Sequence, residues 1–179
     1  MEWKRIWYRR KYYIWNKKLI FEGEYLNGKK WNGKVYDNSN NMIYELKDGK
    51  GFIKNYEENM HIFEVEFLNG EKSGKGKEYN IDKKLIFEGE YLNDKRNGQG
   101  KEYYSNGNIL FEGQYYYGHR LKGKEYYLNG KLEYEGEYLY DTKWNGKGYN
   151  RNGKIIYELK DGEGKVREYK KGKLIFEGE

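Results

Sequence analysis

Residues 85–108 read LIFEGEYLNDKRNGQGKEYYSNGN, and the pattern of this stretch indicates the architecture of the chain. From Leu85 to Leu92 the side chains alternate, with Leu, Phe, Gly and Tyr on one face and Ile, Glu, Glu and Leu on the other. A period of two residues indicates a β-strand, and Lys101 to Tyr104 predicts a second, shorter one. Between them, Asn93-Asp94 and Asn97-Gly98 supply turn residues, because Asn and Gly tolerate positive φ. The stretch therefore predicts one β-hairpin.

The same motif recurs along the chain. Its marker is the aromatic residue of each FEGE-like box, and successive markers lie 19 to 24 residues apart. The markers are Phe21, Tyr44, Phe63, Phe87, Phe111, Tyr134, Tyr157 and Phe176. A period in this range predicts one small supersecondary unit stacked many times. We expect an all-β fold, an elongated single-layer antiparallel sheet in which successive hairpins form an open β-meander solenoid.

A longer period of 113 residues is superimposed on the short one. The strings WNGK and IYELKDG occur together at 31–49 and again at 144–162. Each copy leads into a hairpin of only 19 residues that is preceded by a tryptophan, Trp31 or Trp144. Val65 also replaces the glycine of its box. These departures leave open whether the groove of the predicted sheet is continuous across residues 44–67.

Glycine recurs inside the predicted strands, where it is normally unfavourable. It occupies the same place in the box at Gly23, Gly89, Gly113, Gly136 and Gly178. We expect an aromatic ring to lie across each glycine and restore buried surface in a thin sheet. The glutamate that follows, as at Glu24, Glu90 and Glu137, is expected to accept hydrogen bonds from turn amides.

The composition argues against catalysis. There is no cysteine, so disulfides and thiolate metal sites are excluded. Neither His61 nor His119 has metal-ligand spacing, and each is expected to be an exposed turn or strand residue. The acidic residues belong to the repeat and form no distinct acid–base pair. No phosphate-binding loop precedes a helix. We expect no enzyme activity, no cofactor and no metal.

The positive charge is concentrated at the N-terminus. The whole chain has a formal net charge of +6, and residues 1–18 carry seven lysines and arginines against Glu2 alone. We therefore divide the chain into a basic aromatic cap segment, 1–18, and a repeat array, 19–179, of about seven and a half hairpins. No long apolar run or secretory signal is evident, which predicts a cytoplasmic protein with the option of peripheral membrane attachment.

The repeats resemble MORN repeats, in particular a variant form found in many microbial, protist and viral proteins. The stretches FEGEYLNDKRNGQGKEYYSNG at 87–107 and YEGEYLYDTKWNGKGYNRNG at 134–153 carry the resemblance, which extends over residues 19–179. It implies a grooved sheet that docks helical or extended segments of partner proteins. Some members of the family associate with phospholipids or dimerise, and some bacterial members of the variant are described as antitoxins.

Aromatic side chains are the candidate partner-binding residues, because Tyr and Trp are frequent energetic anchors of interfaces. The candidates are Tyr25, Trp31, Tyr91, Tyr115, Tyr138 and Trp144. We expect a scaffold that presents these rings along a groove. The alternative is that the rings only pack the sheet. A glycan- or choline-binding repeat is less favoured, because tandem tryptophans are absent.

The N-terminal segment supports a second hypothesis. Its basic residues Lys4, Arg5, Arg9, Arg10 and Lys11 alternate with aromatic residues. That mixture suits anionic phospholipid surfaces or, less favoured, stacked nucleic acid bases. The alternation of Trp3, Arg5, Trp7 and Arg9 equally predicts a strand that caps the array. At the other end, Lys173 to Glu179 predicts an edge strand through which two copies could form a homodimer.

Overall fold

The structure is a computed structural model that describes residues 6–12, 18–37, 39–58, 61–164, 166–170 and 173–178. The described residues form β-strands and turns, with no helix among them. The chain divides into two compact units. The first contains residues 1–84 and 90–95, and the second contains residues 85–89 and 96–179. The prediction of an all-β fold of antiparallel hairpins is confirmed.

The first unit contains seven complete strands. They are β1 Ile6–Tyr12, β2 Leu19–Leu26, β3 Lys29–Tyr36, β4 Met42–Leu46, β5 Gly51–Glu58, β6 His61–Leu68 and β7 Glu71–Tyr79. Strands β1 to β4 form one antiparallel sheet in chain order. Strands β5, β6 and β7 pair with one another in the same manner. Strand β8, Leu85–Leu92, has residues in both units.

The second unit continues the meander. Its strands are β9 Lys95–Tyr103, β10 Ile109–Tyr116, β11 His119–Tyr126, β12 Leu132–Leu139, β13 Thr142–Tyr149, β14 Ile155–Leu159, β15 Val166–Lys170 and β16 Lys173–Gly178. Each strand from β9 onward pairs antiparallel with the next. Adjacent hairpins are therefore joined edge to edge within one open sheet.

The hairpins turn more tightly than the sequence predicts. Between β8 and β9 the turn is Asn93-Asp94 alone, and β9 begins at Lys95 rather than Lys101. Both turn residues have positive φ, 51° and 67°, as type I′ turns require. Asn97-Gly98 lies inside β9, where Gly98 has a φ of 94°. Gly74 has a similar φ of 91° in β7, so one extra glycine accounts for the two 24-residue repeats.

The short hairpins interrupt the pairing of strands. Strand β4 ends at Leu46, and its link to β5 is the isolated bridge between Lys47 and Lys50. Strands β14 and β15 share one register pair, Tyr157 with Val166. The β1–β4 sheet ends within residues 44–67, the stretch over which continuity of the groove was left open.

The core of each regular repeat is an aromatic ring over a pair of glycines. In the second unit Gly113 faces Gly123 across β10 and β11, and the Phe111 ring covers both. A Cβ added to Gly113 would lie 2.2 Å from the Lys122 carbonyl oxygen, so only glycine fits. Gly23 and Gly33 form the same arrangement under Phe21 in the first unit. The predicted packing of a ring over a glycine is confirmed in these two repeats. The structure adds a second glycine, which faces the first across the strand pair and lies under the same ring.

The N-terminal segment contributes a strand. Strand β1 pairs antiparallel with β2 along its length, from Ile6 opposite Leu26 to Tyr12 opposite Leu19. The prediction of a capping strand is therefore confirmed for Ile6–Tyr12. Trp3, Arg5 and Lys4 lie outside the described residues.

Candidate functional site

A cluster of four side chains repeats on the aromatic face of the sheet. In the second unit, the Arg120 guanidinium lies over the Phe111 ring, 4.5 Å from its centroid. Arg120 Nη2 also donates to Glu102 Oε2 at 2.5 Å, and the Tyr115 hydroxyl donates to Glu102 Oε1 at 2.8 Å. The first unit has a related bond in which the Tyr91 hydroxyl donates to Glu78 at 2.5 Å. Each cluster ties one repeat to the next.

Burial shifts the ionisation of these groups. Burial and the Glu102 carboxylate raise the pKa of the Tyr115 hydroxyl far above its ordinary value. Burial opposes the charge of Arg120, but the hydrogen bond and charge of Glu102 outweigh that effect and raise its pKa. The cluster therefore holds a neutral phenol and a guanidinium cation with its carboxylate, which is a stable structural arrangement rather than a poised acid–base pair.

The opposite face of the second unit carries exposed charges. Lys101 lies 3.6 Å from Glu112, and Lys124 lies 3.5 Å from Glu135 on the next strands. The Tyr126 hydroxyl donates to Glu112 Oε1 at 2.6 Å. Burial and that hydrogen bond raise the pKa of Tyr126 to about 12. Alternating charges of this kind keep the face solvated.

The structure places the four predicted groove tyrosines in the core. Tyr115 is only 3% exposed, and its ring meets those of Phe87 and Phe111 edge-on, with centroids 5.3 and 5.5 Å away. Tyr25, Tyr91 and Tyr138 are buried as well. These four rings therefore pack the sheet, as the alternative to a binding role predicted. Contact between these residues and a partner stays a prediction.

The two tryptophans that were predicted to bind a partner cover the turns of the short hairpins. Trp31 is half-buried, and its ring lies against Gly49, while its carbonyl oxygen accepts the Gly49 N–H at 2.8 Å. The Trp144 ring likewise lies against Gly162, and the Trp144 carbonyl oxygen accepts the Gly162 N–H at 2.9 Å. The adjacent Asn32 Oδ1 accepts the Asp48 N–H at 2.7 Å. The WNGK and YELKDG strings therefore pack against each other in both places where they occur.

Exposed aromatic residues gather at two turns of the second unit. Tyr116 is 60% exposed, Tyr117 56% and Tyr140 77%. The rings of Tyr116 and Tyr117 are 5.4 Å apart, and His119 meets Tyr140 edge-on at 5.7 Å. With exposed Leu139, these residues form a surface that we call the tyrosine patch: Tyr116, Tyr117, His119, Leu139 and Tyr140.

Sequence reasoning missed the tyrosine patch, although a signal was present. Tyr117 and Tyr140 occupy the first turn position, with φ of 54° and 48°. The regular turns of the first unit have Asn27, Asn69 and Asn93 there. Asn tolerates left-handed backbone, whereas a bulky residue does so at a cost. The replacement of Asn by Tyr in two successive repeats is visible in the sequence alone.

The histidine and glutamate predictions have different outcomes. His119 is an exposed strand residue, as expected, and its Nδ1 lies 2.6 Å from Asp141 Oδ2. His61 begins β6, but its side chain lies outside the described part of the chain. The box glutamates accept from a cross-strand amide side chain, because Asn32 donates to Glu24 at 2.9 Å and Asn145 to Glu137 at 3.0 Å. The prediction of turn amides as their donors is wrong for these two.

The basic segment is only partly described. Arg9, Arg10 and Lys11 are exposed, and Arg10 Nη2 lies 3.2 Å from Glu22, which also accepts from the Tyr8 hydroxyl. Lys4 and Arg5 lie outside the described residues. Dimerisation through the C-terminal edge strand stays a prediction, because the side chains from residue 165 onward are not described.

Two kinds of site were searched for within the described residues. No group of three or more His, Asp or Glu side chains there is arranged to hold a metal ion. No helix capable of crossing a membrane occurs in that part of the chain.

Comparison with known proteins finds one family model that matches part of the chain. The MORN repeat family model matches residues 66–82 and 87–109. The second match covers β8, its Asn93-Asp94 turn and β9, which is one regular hairpin. No curated protein matches the chain significantly.

Proposed function

We propose that this chain, which belongs to the MORN-repeat family, is a non-enzymatic scaffold that binds a segment of a partner protein. Repeats of this family are generally protein- or membrane-binding modules and are not enzymes. The observation that favours a protein partner is the tyrosine patch, where large rings are exposed at backbone positions that disfavour them.

The tyrosine rings of the patch are mostly exposed. A tyrosine with positive φ costs about 1 kcal/mol relative to a residue that tolerates this conformation. Tyr117 and Tyr140 each have a positive φ and so each carry this cost, yet both side chains bury little of their own surface. Strain of this kind is concentrated at functional sites. Exposed tyrosines also combine a large contact area with few rotatable bonds, which suits an interface anchor.

The buried tyrosine rings position the turns that carry the exposed rings. The Tyr115 hydroxyl bond to Glu102 fixes the end of β10, and Tyr116 and Tyr117 follow directly. At the next turn, Asp141 Oδ1 accepts the Arg120 N–H at 2.7 Å, so adjacent turns are held together. We infer that the core tyrosines support binding by positioning the turns, and that Trp31 and Trp144 act through the short turns they cover.

The test compares binding by the intact chain and a Tyr117→Asn/Tyr140→Asn variant. Asn occupies the same turn position in other repeats, so the variant is expected to fold. A partner is first identified by cross-linking and capture from the native cell, and its affinity is then measured with purified protein. We expect the variant to bind at least tenfold more weakly. The control Ile81→Asn changes another exposed apolar side chain and should bind normally. Equal affinities for all three proteins would reject the patch as the binding surface.

A second candidate function is attachment to an anionic membrane through β1. Trp7, Arg9 and Lys11 alternate along β1 and oppose Tyr25, Gly23 and Phe21, so they share one face. All three are exposed. Co-sedimentation with phosphatidylcholine vesicles, with and without phosphatidylserine, tests this candidate. Binding that requires phosphatidylserine and is lost in Arg9→Gln/Lys11→Gln would support it, and absence of sedimentation would reject it.

A further inference from the structure

Three wide turns of the second unit share one side of the meander, because they join β9 to β10, β11 to β12 and β13 to β14. They comprise residues 104–108, 127–131 and 150–154. In each turn the N–H of the first residue donates to the carbonyl oxygen of the fifth at 2.8 to 2.9 Å. None of these residues is acidic, whereas Lys131, Arg151 and Lys154 are basic.

A cavity of about 470 Å³ opens where these turns meet. A volume of this size falls within the range of small-ligand sites. The cavity is lined by three amides, a guanidinium, a phenol ring and an exposed aliphatic side chain. These are Asn106, Asn108, Asn129, Arg151, Tyr127 and Leu128.

The amides of the lining are oriented by the turns. Asn108 Nδ2 donates to the Leu128 carbonyl oxygen at 2.9 Å, and Asn106 Nδ2 approaches the same oxygen at 3.5 Å. Asn106 Oδ1 accepts the Asn108 N–H at 3.0 Å. Asn129 Oδ1 accepts the Lys131 N–H at 3.2 Å. Within the described part of the chain, Asn108 Oδ1 and Asn129 Nδ2 are left as an acceptor and a donor without a protein partner.

The phenol ring and the guanidinium come from successive turns. Tyr127 is half-buried, and its hydroxyl donates to the Tyr149 carbonyl oxygen at 2.7 Å, which fixes the ring. The Arg151 guanidinium lies over this ring, 5.7 Å from its centroid. Arg151 is exposed and forms no ion pair with a carboxylate among the described residues. Its charge is therefore available to an anionic ligand.

The carboxylate of Glu133 also acts on this site. Burial, followed by the charge of Glu133, raises the pKa of the Tyr127 hydroxyl, while Lys143 and Arg151 act in the opposite direction. Glu133 Oε1 lies 3.5 Å from Lys143 Nζ, so a cation of the sheet compensates its charge. The charge that remains at the pocket is the positive charge of Arg151.

We propose that this pocket binds a sugar acid, a pyranose that carries a carboxylate. A guanidinium matches a carboxylate through two parallel hydrogen bonds. An amide offers a donor and an acceptor side by side, which suits neighbouring sugar hydroxyls because each hydroxyl both donates and accepts. Tyr127 and Leu128 provide apolar surface for the C–H groups of the sugar ring.

This site differs from the glycan-binding repeat that the absence of tandem tryptophans disfavoured. One tyrosine ring, three amides and a guanidinium line it instead of an aromatic cage. The inference does not depend on the tyrosine patch, which lies at the tight turns on the other side of the meander.

The test is a nitrogen-15 NMR titration of the full chain with the trimer of galacturonic acid and with the neutral trimer of galactose. We expect the acidic trimer to shift the amide signals of the three wide turns and to bind about tenfold more tightly, because the neutral trimer lacks the charged hydrogen bonds to Arg151. Arg151→Gln should remove this difference between the trimers. The control Lys154→Gln removes an equal charge from the same turn, outside the lining, and should change either affinity less than about twofold.

A further variant tests the apolar part of the pocket. Leu128→Ser should weaken binding of both trimers by a similar factor, and it is expected to fold because Ser105 holds the same position in the preceding turn. Four results would overturn the proposal. They are no shift at the wide turns, equal affinities of the intact chain for the two trimers, equal weakening by Lys154→Gln and Arg151→Gln, or tighter binding of a capped triglutamate peptide, which has the same charge without the sugar.

Discussion

The ring of Trp144 lies against the backbone of Gly162, and the Gly162 N–H donates to the Trp144 carbonyl oxygen at 2.9 Å. Trp31 and Gly49 repeat this relationship 113 residues earlier. The tryptophan thus closes the short hairpin that follows it. A hairpin of normal length has its own paired strands to stabilise it, whereas the short one depends on this contact.

Gly162→Ala should lower the free energy of unfolding more than Gly153→Ala does. Both glycines have φ near +80°, 84° and 79°, so both variants bear the cost of left-handed backbone, about 1 kcal/mol. Only at Gly162 would the new Cβ meet a ring, 2.7 Å from Trp144 Cζ3. Crowding of that kind adds about 1–2 kcal/mol. Urea unfolding of the two variants measures the difference, and equal values would show that the contact does not stabilise the protein.

Tyr117→Asn and Tyr140→Asn should each raise stability. The substitution places at a positive φ a residue that tolerates it and removes little buried surface. We expect a gain of about 0.5–1 kcal/mol per site in urea unfolding. The neighbouring Tyr116→Asn is the control, because Tyr116 is similarly exposed but ends a strand. A loss of stability at Tyr117 or Tyr140 would mean that these rings support the fold, contrary to the proposed function.

Arg120→Met should destabilise the protein far more than Lys124→Met. Arg120 contacts Glu102 and Glu125, and its removal takes away the cation that these two mostly buried carboxylates share, leaving Glu102 with Arg96 and Glu125 with Lys143. The expected loss is about 2 kcal/mol, because hydrogen bonds between charged groups are lost. Lys124 pairs with Glu135 on the exposed face, where an ion pair contributes about 0.5 kcal/mol or less. Thermal or urea unfolding of the two methionine variants gives the comparison. Similar losses would contradict the burial argument.

Stability should fall as the pH rises from about 10 to 12. Burial and Glu112 raise the pKa of Tyr126 to about 12, above the ordinary value of 10.0. The folded state then holds the phenolic proton in a range where the unfolded state has lost it, so the stabilisation is complete below pH 10 and is lost as the pH rises through the folded value. The pKa values of Tyr103, Tyr115 and Tyr138 are raised too, which steepens the loss.

Alkaline urea unfolding of the intact chain and of Tyr126→Phe measures this effect. The variant should lose less stability over the same pH range, because it has no phenol at that position. Ultraviolet absorbance of the phenolate follows ionisation in parallel. In Glu112→Gln, the pKa of Tyr126 should fall, since the hydrogen bond to a charged acceptor is removed. Identical pH profiles for the intact chain and Tyr126→Phe would contradict the prediction.

Much of the local structure could be read from the sequence. The alternation in Leu85–Leu92 predicted β8, and the ring-over-glycine packing at Gly113 was expected from its place beside Phe111. The hairpin turn was less well predicted. Asn97-Gly98 has turn chemistry, yet it lies in β9, because a glycine with positive φ serves a bulge as well as a turn.

The candidate sites were harder to predict. Alternation assigns Tyr25 and Tyr115 to one face, but it does not show whether neighbouring rings cover them. The structure shows that they are covered and that the exposed rings lie at the turns.

The sequence by itself determined the repeating hairpin, its antiparallel strands and the position of its glycines. Those features depend on the two-residue period and on φ preferences, which are properties of neighbouring residues. Which aromatic rings are buried and where strand pairing is interrupted became visible in the tertiary structure alone. Those features depend on contacts between repeats, as between Trp31 and Gly49, and each repeat carries nearly the same residues whether or not such a contact forms.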